Sequence, residues 1–255
     1  VKAADIKKAL DDGSRILRER DRPPEKKSSQ IRLSNALACV RKLYMLETGM
    51  AVEQDLSAET LRIFELGTAR GATIAEALIV GMEGWEARAE ATVILNVAGY
   101  DVPGHVDLLL ERKGPDGRER TLVEVKTMNP YAWKLVREDD ALTVSDQYRA
   151  QIGCYWEALG QPEDVFLIAE NKATSEHKIV PFGGAALEAG YVAGCSNLKQ
   201  AIEAIRDKMI PERPFGPNEK GELPWQCGYC SVWEQCWDGQ VEQVPGKKKL
   251  RMVKA

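Results

Sequence analysis

Three charged side chains sit in one short stretch where strands call for apolar residues. Residues 104–126 read GHVDLLLERKGPDGRERTLVEVK. Val106, Leu108 and Leu110 alternate with Asp107 and Leu109, and beyond the turn Leu122, Glu124 and Lys126 alternate with Val123 and Val125. Gly114-Pro115-Asp116-Gly117 supplies the turn, so the stretch predicts a β-hairpin. A side-chain period of two puts Glu124 and Lys126 on one face. Charge inside so apolar a hairpin is costly unless it is paired or holds a cation. The Asp107 and Glu124 carboxylates suit a hard divalent ion, Mg²⁺ or Mn²⁺. The Lys126 ammonium beside them can stabilise developing negative charge or orient a water.

A second group lies near the C-terminus. Cys227, Cys230 and Cys236 are spaced C-x2-C-x5-C among aromatic residues. Core packing does not call for three cysteines in ten residues. A tetrahedral metal needs four thiolates, and Cys39, far upstream, is the natural fourth. Such a set suits Zn²⁺ or an iron–sulfur cluster, and spacing alone does not choose between them. Cys154 and Cys195 lie in apolar helical stretches without partners at ligand spacing, and read as core.

Composition sets the bounds. A chain of 255 residues can bury one sizeable core, alone or with a lobe. A net charge of −4 gives no global nucleic-acid signature, so DNA binding would rest on local patches. No apolar run reaches the length of a membrane span. No secretory pattern opens the chain, and Val1 suggests a true start further upstream. Six cysteines without a secretory signal argue for a reducing, cytoplasmic setting and for metal ligands over disulfides.

The positioning elements follow from pattern. A helix is expected over 3–20, then a breaker and linker over 22–29. Ser34 is expected to cap a helix over 35–47 that carries Cys39. Ser57 is expected to cap a helix over 57–82 with the stripe Leu61, Phe64, Ile74 and Leu78. Gly67 and Gly71 weaken that helix, so close approach of another backbone is expected there. Residues 86–97 read as a strand with Glu90 facing solvent. Pro130 opens a short helix to 137. The 145–159 segment predicts an amphipathic helix with Gln151 and Tyr155 on one face. Strands at 164–172 and 178–182, a helix at 185–209 and a Pro/Gly-rich loop at 211–224 complete the reading. The terminal segment KKKLRMVKA, 247–255, is basic and is expected to be disordered.

Several of these pieces resemble one family. Asp107 followed after sixteen residues by Glu124-Val125-Lys126 resembles the D-(x)n-E-x-K core of the PD-(D/E)XK nucleases, and Gly104-His105-Val106-Asp107 is similar to its acid-bearing segment. Gln151 and Tyr155 are similar to the Q-x-x-x-Y motif of RecB-type nucleases. One upstream cysteine with a downstream C-x2-C-x5-C resembles the iron–sulfur exonucleases. That group includes CRISPR-associated adaptation exonucleases and the nuclease domain of the AddB helicase subunit; phage-type exonucleases are a further relative. The resemblance covers about residues 33–237.

What the resemblance implies is an α/β fold with a PD-(D/E)XK restriction-endonuclease-like core. A mixed central sheet would be flanked by helices and joined to a four-cysteine metal-cluster lobe. The domains would be an N-terminal helix and linker (1–30), a nuclease domain (31–237) and a basic tail (238–255). The activity would be metal-dependent DNA exonuclease chemistry in recombination, repair or phage DNA processing. Its partners would be DNA with a free or single-stranded end, and recombination or CRISPR adaptation proteins. Asp107, Glu124 and the Val125 carbonyl would hold Mg²⁺ or Mn²⁺. Lys126 would serve catalysis, and Gln151 and Tyr155 would position the strand. Cys39, Cys227, Cys230 and Cys236 would hold a 4Fe–4S cluster, with zinc the alternative. Closing so long a loop would stabilise the fold by roughly 4–5 kcal/mol if the cluster acts like a disulfide. His105 and Lys172 are candidate phosphate contacts. The family often adds a His or Glu four residues after a helix glycine. Here that count leads from Gly67 to Gly71 and from Gly71 to Ala75. Either Glu76 substitutes or the ligand is absent. The competing reading is a catalytically weak or inactive DNA-binding partner that retains a structural four-cysteine site.

Overall fold

The computed structural model describes residues 29–53, 57–114, 117–245 and 247–253, with Lys8, Asp12 and Ile16 from the N-terminal stretch. Those three are helical, and Lys8 Nζ lies 2.5 Å from Asp12. The rest of the expected 3–20 helix, and the 22–28 part of the linker, lie outside the described residues. So do Pro115 and Asp116 of the hairpin turn.

A five-stranded sheet in the order β1-β2-β3-β4-β5 organises the chain. Its strands are β1 (Glu86–Val97), β2 (Tyr100–Gly114), β3 (Gly117–Met128), β4 (Asp164–Asn171) and β5 (His177–Pro181). Neighbours are antiparallel except β3 and β4, which run parallel in the register Glu124↔Leu167. A parallel pair needs a crossover. Helices α3 (Pro130–Leu135) and α4 (Asp146–Ala158) make it. Asn129 accepts the Ala132 amide at 2.9 Å to cap α3, and Ser145 accepts the Tyr148 amide at 3.4 Å to cap α4.

Helix α4 and the long α5 (Gly184–Asp207) cover one sheet face. Gly153 and Gly190 let their backbones touch: a methyl on either would overlap backbone atoms of the opposite helix. Leu122, Ile152, Tyr155, Leu167, Leu187 and Leu198 lie in the core between them. The other face carries α2 (Ala58–Gly81), capped by Ser57, whose Oγ accepts the Thr60 amide at 3.2 Å. Its core is smaller, with Ile74, Leu108, Leu110, Val123, Val125 and Ile168. Phe64 departs from the expected stripe: it is exposed and lines a groove. Of the two helix glycines, Gly67 approaches the sheet, where a methyl would stand 3.3 Å from Thr127 Oγ1. A methyl on Gly71 would meet nothing within 4 Å among the described residues, so the expected close approach is absent there. Arg70 pins α2 from above: its Nε donates to the buried Glu170 of β4 at 2.9 Å.

Two ends differ from the sequence expectation. The helix expected over 35–47 is α1 (Val40–Glu47), preceded by a 3₁₀ turn at Leu33–Asn35. Asn35 is bound to the Gln30 carbonyl at 2.9 Å, and Ser34 lies inside the 3₁₀ turn rather than capping a helix. Cys39 therefore stands at the N-cap of α1, outside the helix. The terminal segment from 247, expected to be disordered, is ordered over 247–253. After α6 (Trp225–Gly228) and α7 (Trp233–Trp237), strands β6 (Val241–Gln243) and β7 (Leu250–Met252) pair antiparallel. Leu250 is buried with Leu223, Trp237 and Val241, and that apolar burial orders the segment. Among the described residues no helix is long and apolar enough to cross a membrane.

Candidate active site

The inward alternation of β1 and β2 inverts at one point. Ala91, Val93 and Val106 pack toward α4 and α5, whereas Ala87 and Leu108 pack toward α2, although each set shares parity. The inversion lies at Glu90 and Asp107, which the register leaves facing each other between Ala89↔Leu108 and Ala91↔Val106. Glu90 takes φ 50°, rare for a side-chain-bearing residue in a strand. Asp107 thereby stands on the seam between the two faces. Gly104 sits three residues before it because Tyr155 Cε1 would lie 2.6 Å from a methyl there.

Glu124 faces α4 and is fully buried. Gln151 Nε2 donates to its Oε1 at 2.9 Å and to the Tyr155 hydroxyl at 3.0 Å. The Lys126 ammonium donates to the same Oε1. Glu124 Oε2 is buried with no hydrogen-bond partner among the described residues. Asp107 Oδ2 accepts the Val125 amide at 2.7 Å, which ties the two acid-bearing strands together. Burial pushes the Glu124 carboxyl up to about 8, with the Asp107 charge adding to it and Lys126 pulling against it. Burial alone would lower Lys126, but Glu124 and Asp107 outweigh it, so the net shift is upward and the ammonium is kept. The Tyr148 ring sits 5.4 Å from Lys126 Nζ. Tyr155 is raised by burial and by the Glu124 charge.

A groove of about 760 Å³ opens beside this cluster. Asp107, Val125, Lys126, Thr127, Tyr148 and Lys172 line its sheet side, and Phe64, Gly71, Ala75 and Glu76 its α2 side. Glu90, expected to face solvent, is exposed and also lines it. Asp107, Glu124 and Lys126 therefore come together as the sequence suggests. Glu76 reaches the same groove from across it. No group of three His, Cys, Asp or Glu side chains is assembled as a metal site among the described residues, so Glu76 is not gathered with the two acids. Lys172 is placed to meet a ligand in the groove. His105 is exposed opposite Thr92 on β2 and is not among the groove's lining.

Gln151 and Tyr155 are both buried behind Glu124, Tyr155 almost completely, and their hydrogen bonds run to the carboxylate and to each other. Sequence reading missed Tyr148, whose signal was present: it lies one helical turn before Gln151 and faces the same site. It also missed Arg70 and Glu170, which are 100 residues apart and carry no local pattern.

The four cysteines share one region of the molecule, although no three of them are drawn in to ligating distance. Burial pushes the Cys227 thiol up to about 11, with Cys230, Cys236 and Cys39 each adding. Cys230 is raised by burial first and by Cys39 and Cys236 as well. The chain thus brings one donor from the N-cap of α1 toward three from the C-terminal lobe. Cys154 and Cys195 differ from the expectation in one respect. They face each other across α4 and α5, and the Cys154 thiol, pushed up to about 12 by burial, feels Cys195.

No family model matches the chain, and no curated protein matches it. Among solved structures it is similar to SSO0001, at 15% identity and TM-score 0.49, over 88% of this chain and 93% of that one. It is similar to a candidate exonuclease from Eubacterium rectale, at 13% identity and TM-score 0.48, over 73% and 85%. It is also similar to an alkaline exonuclease, LHK-Exo, from Laribacter hongkongensis, at 12% identity and TM-score 0.45, over 71% and 91%.

Proposed function

We propose that the chain is a divalent-cation-dependent DNA nuclease of PD-(D/E)XK type that acts on strand ends. The observation that carries this reading is Glu124 Oε2, a buried carboxylate oxygen without a hydrogen-bond partner among the described residues, directly behind Asp107 and Lys126, which line the groove. A buried acid raised to about 8 is an expensive group to keep, and a cation at its free oxygen would offset that cost. The donor set fits Mg²⁺ or Mn²⁺: two carboxylates and the carbonyl of Val125, all oxygen. Bound there, the cation would polarise a phosphodiester and lower the pKa of an attacking water.

The protein's own groups do the rest. Gln151 fixes the Glu124 rotamer from behind, and Tyr155 fixes Gln151. Lys126 stays an ammonium and places positive charge where a pentacoordinate phosphorus would carry negative charge. Lys172 offers a second cation to the phosphate backbone along the groove. The four cysteines suit a thiolate-bound cluster, 4Fe–4S or zinc, which would draw them together and stiffen the junction of α1 with the C-terminal lobe. A second reading, a DNA-binding partner with weak cleavage, is favoured by Ala75, which stands four residues after Gly71 where a His or Glu ligand would be expected.

Incubation of 5′- and 3′-labelled single- and double-stranded DNA with Mg²⁺, Mn²⁺ or EDTA tests the proposal. Cation-dependent release of short labelled products from one end is expected. Binding without cleavage under every cation would establish the second reading.

A further inference from the structure

We propose that Trp225 and Tyr229, with Lys247 and Lys248, form a second contact site on the cysteine lobe, which takes single-stranded nucleic acid. The inference rests on the reading of nucleic acid as the substrate and adds a place for the strand outside the groove.

Trp225 is 69% exposed and Tyr229 65% exposed. Both rings stand on the turn that carries Cys227 and Cys230. Their centroids are 6.2 Å apart and their planes cross at 73°. The turn is held firmly: the Tyr229 amide donates to the Trp225 carbonyl at 3.2 Å, and the Cys230 amide to the Cys227 carbonyl at 3.1 Å. A methyl on Gly228 would overlap the Lys248 carbonyl, so the turn lies backbone to backbone on the 247–249 segment. The rings are therefore presented on a rigid base.

Three of the five other tryptophans are already covered. Trp85, Trp133 and Trp237 each carry a cation over the ring, from Arg112, Lys178 and Arg213. No such cation covers Trp225 among the described residues. The local cations divide in the same way. Lys249 pairs with Glu222 at 2.7 Å and Arg251 with Glu242 at 2.7 Å. Lys247 and Lys248 are exposed and make no ion pair among the described residues, and Lys248 Nζ lies 5.0 Å from the Tyr229 ring. The open ring of Trp225 thus stands beside Tyr229, over whose ring Lys248 already places its ammonium, with Lys247 next to it in the chain and without an ion pair among the described residues.

That pairing matches an unstacked strand, whose bases offer π-faces and whose phosphates offer charge. In a duplex the bases are stacked on one another and cannot reach the rings. A protein-docking patch would surround the aromatics with aliphatic area. Here the exposed Gln226, Lys247 and Lys248 flank them instead.

The test is fluorescence anisotropy of the full chain with a labelled oligo-dT 20-mer and with a labelled duplex of the same length, in EDTA so that nothing is cut. The double variant Trp225→Ala, Tyr229→Ala should bind the single strand at least about fivefold more weakly, the low end for the loss of one stacked base. Duplex affinity should stay within about twofold. The paired Phe variant should restore single-strand binding. Lys247→Ala with Lys248→Ala should flatten the salt dependence of single-strand binding by about one unit of slope. Unchanged single-strand affinity in the Ala pair, with an unchanged melting temperature, would overturn the proposal. Equal losses on duplex and single strand, or rescue by leucines, would also overturn it, the last by pointing to a protein contact. A protein that binds the strand through these rings yet never cleaves it would keep this site and reject the nuclease reading.

Discussion

On one face of the sheet, α4 and α5 meet backbone to backbone at Gly153 and Gly190 and leave no space. On the other, α2 touches the sheet at Gly67 and then stands off, and the groove opens beneath Gly71 and Ala75. The closed face gives precision, because it locks Gln151 and Tyr155 behind Glu124. The open face gives access, because it exposes Asp107 and Lys126. A site that must be both rigid and reachable fits on the seam between such faces. The inverted alternation at Glu90 and Asp107 makes that seam.

The largest effects are expected at the seam itself. Asp107→Ala, Glu124→Ala or Lys126→Ala should each lower cation-dependent cleavage by roughly 10³-fold, with the fold retained. Labelled-product release measures it, and a folded Glu124→Ala protein that cuts at the wild-type rate would separate the seam from the chemistry. Next in size is the cysteine lobe, which packs on α1 and on Ala204 and Ile205 of α5. Cys39→Ala should lose any absorbance near roughly 400 nm and about 2–4 kcal/mol of stability, as loss of a long-loop cross-link does. Cys195→Ala should lose neither. Colour that survives Cys39→Ala would remove Cys39 from the ligand set.

On the closed face, Gly153→Ala should cost about 2–3 kcal/mol by chemical denaturation, because the opposing atoms are backbone and cannot step aside. Full tolerance would mean that the two helices can part without loss, and the closed face would no longer contrast with the open one.

A pH titration sharpens the picture. Glu124 holds its proton up to about 8 in the folded chain but only to about 4.5 when unfolded, so the native state binds the extra proton between those values. Stability without cations should therefore fall as pH rises through that window, by on the order of 1 kcal/mol per unit. Glu124→Gln should abolish that slope and be the more stable protein above pH 8. An unchanged slope in the variant would place the titration elsewhere. The smallest effect belongs to the open face: Gly71→Ala should stabilise by about 0.5–1 kcal/mol, since helix entropy improves and the methyl meets nothing. Destabilisation would show that the groove is narrower in solution.

Much of this was legible in the residues. The hairpin shows in its alternation and turn, and Glu124 and Lys126 share a face through the period of two. Ser57 and Ser145 mark their helix starts because a cap is a local event. The inversion at Glu90 was not legible, since periodicity records parity and not a single left-handed residue within a strand. Ser34 misled for a similar reason: the chain used it in a 3₁₀ turn and began α1 at Cys39. Leu250 in a run of lysines looked solvated because its partners, Leu223, Trp237 and Val241, lie well before it in the chain. Arg70 with Glu170 failed on distance along the chain alone. Glu76 was placed at the groove, but the gathering of a third ligand depends on how far α2 stands off.

One contact sets a clock on the protein's own synthesis. Ser231 Oγ lies 3.0 Å from a Glu53 oxygen, across 178 positions of chain, and Val232 covers Tyr44 and Met45 of α1. At about 5–20 residues per second, α1 leaves the ribosome some ten to forty seconds before anything exists to cover it. Through that interval its apolar side is open to whatever else is nearby, and the thiol at its head is without its companions. The strands that carry Asp107 and Glu124 are made in the meantime. The candidate site would thus be nearly assembled while the segment that covers α1 is still unwritten.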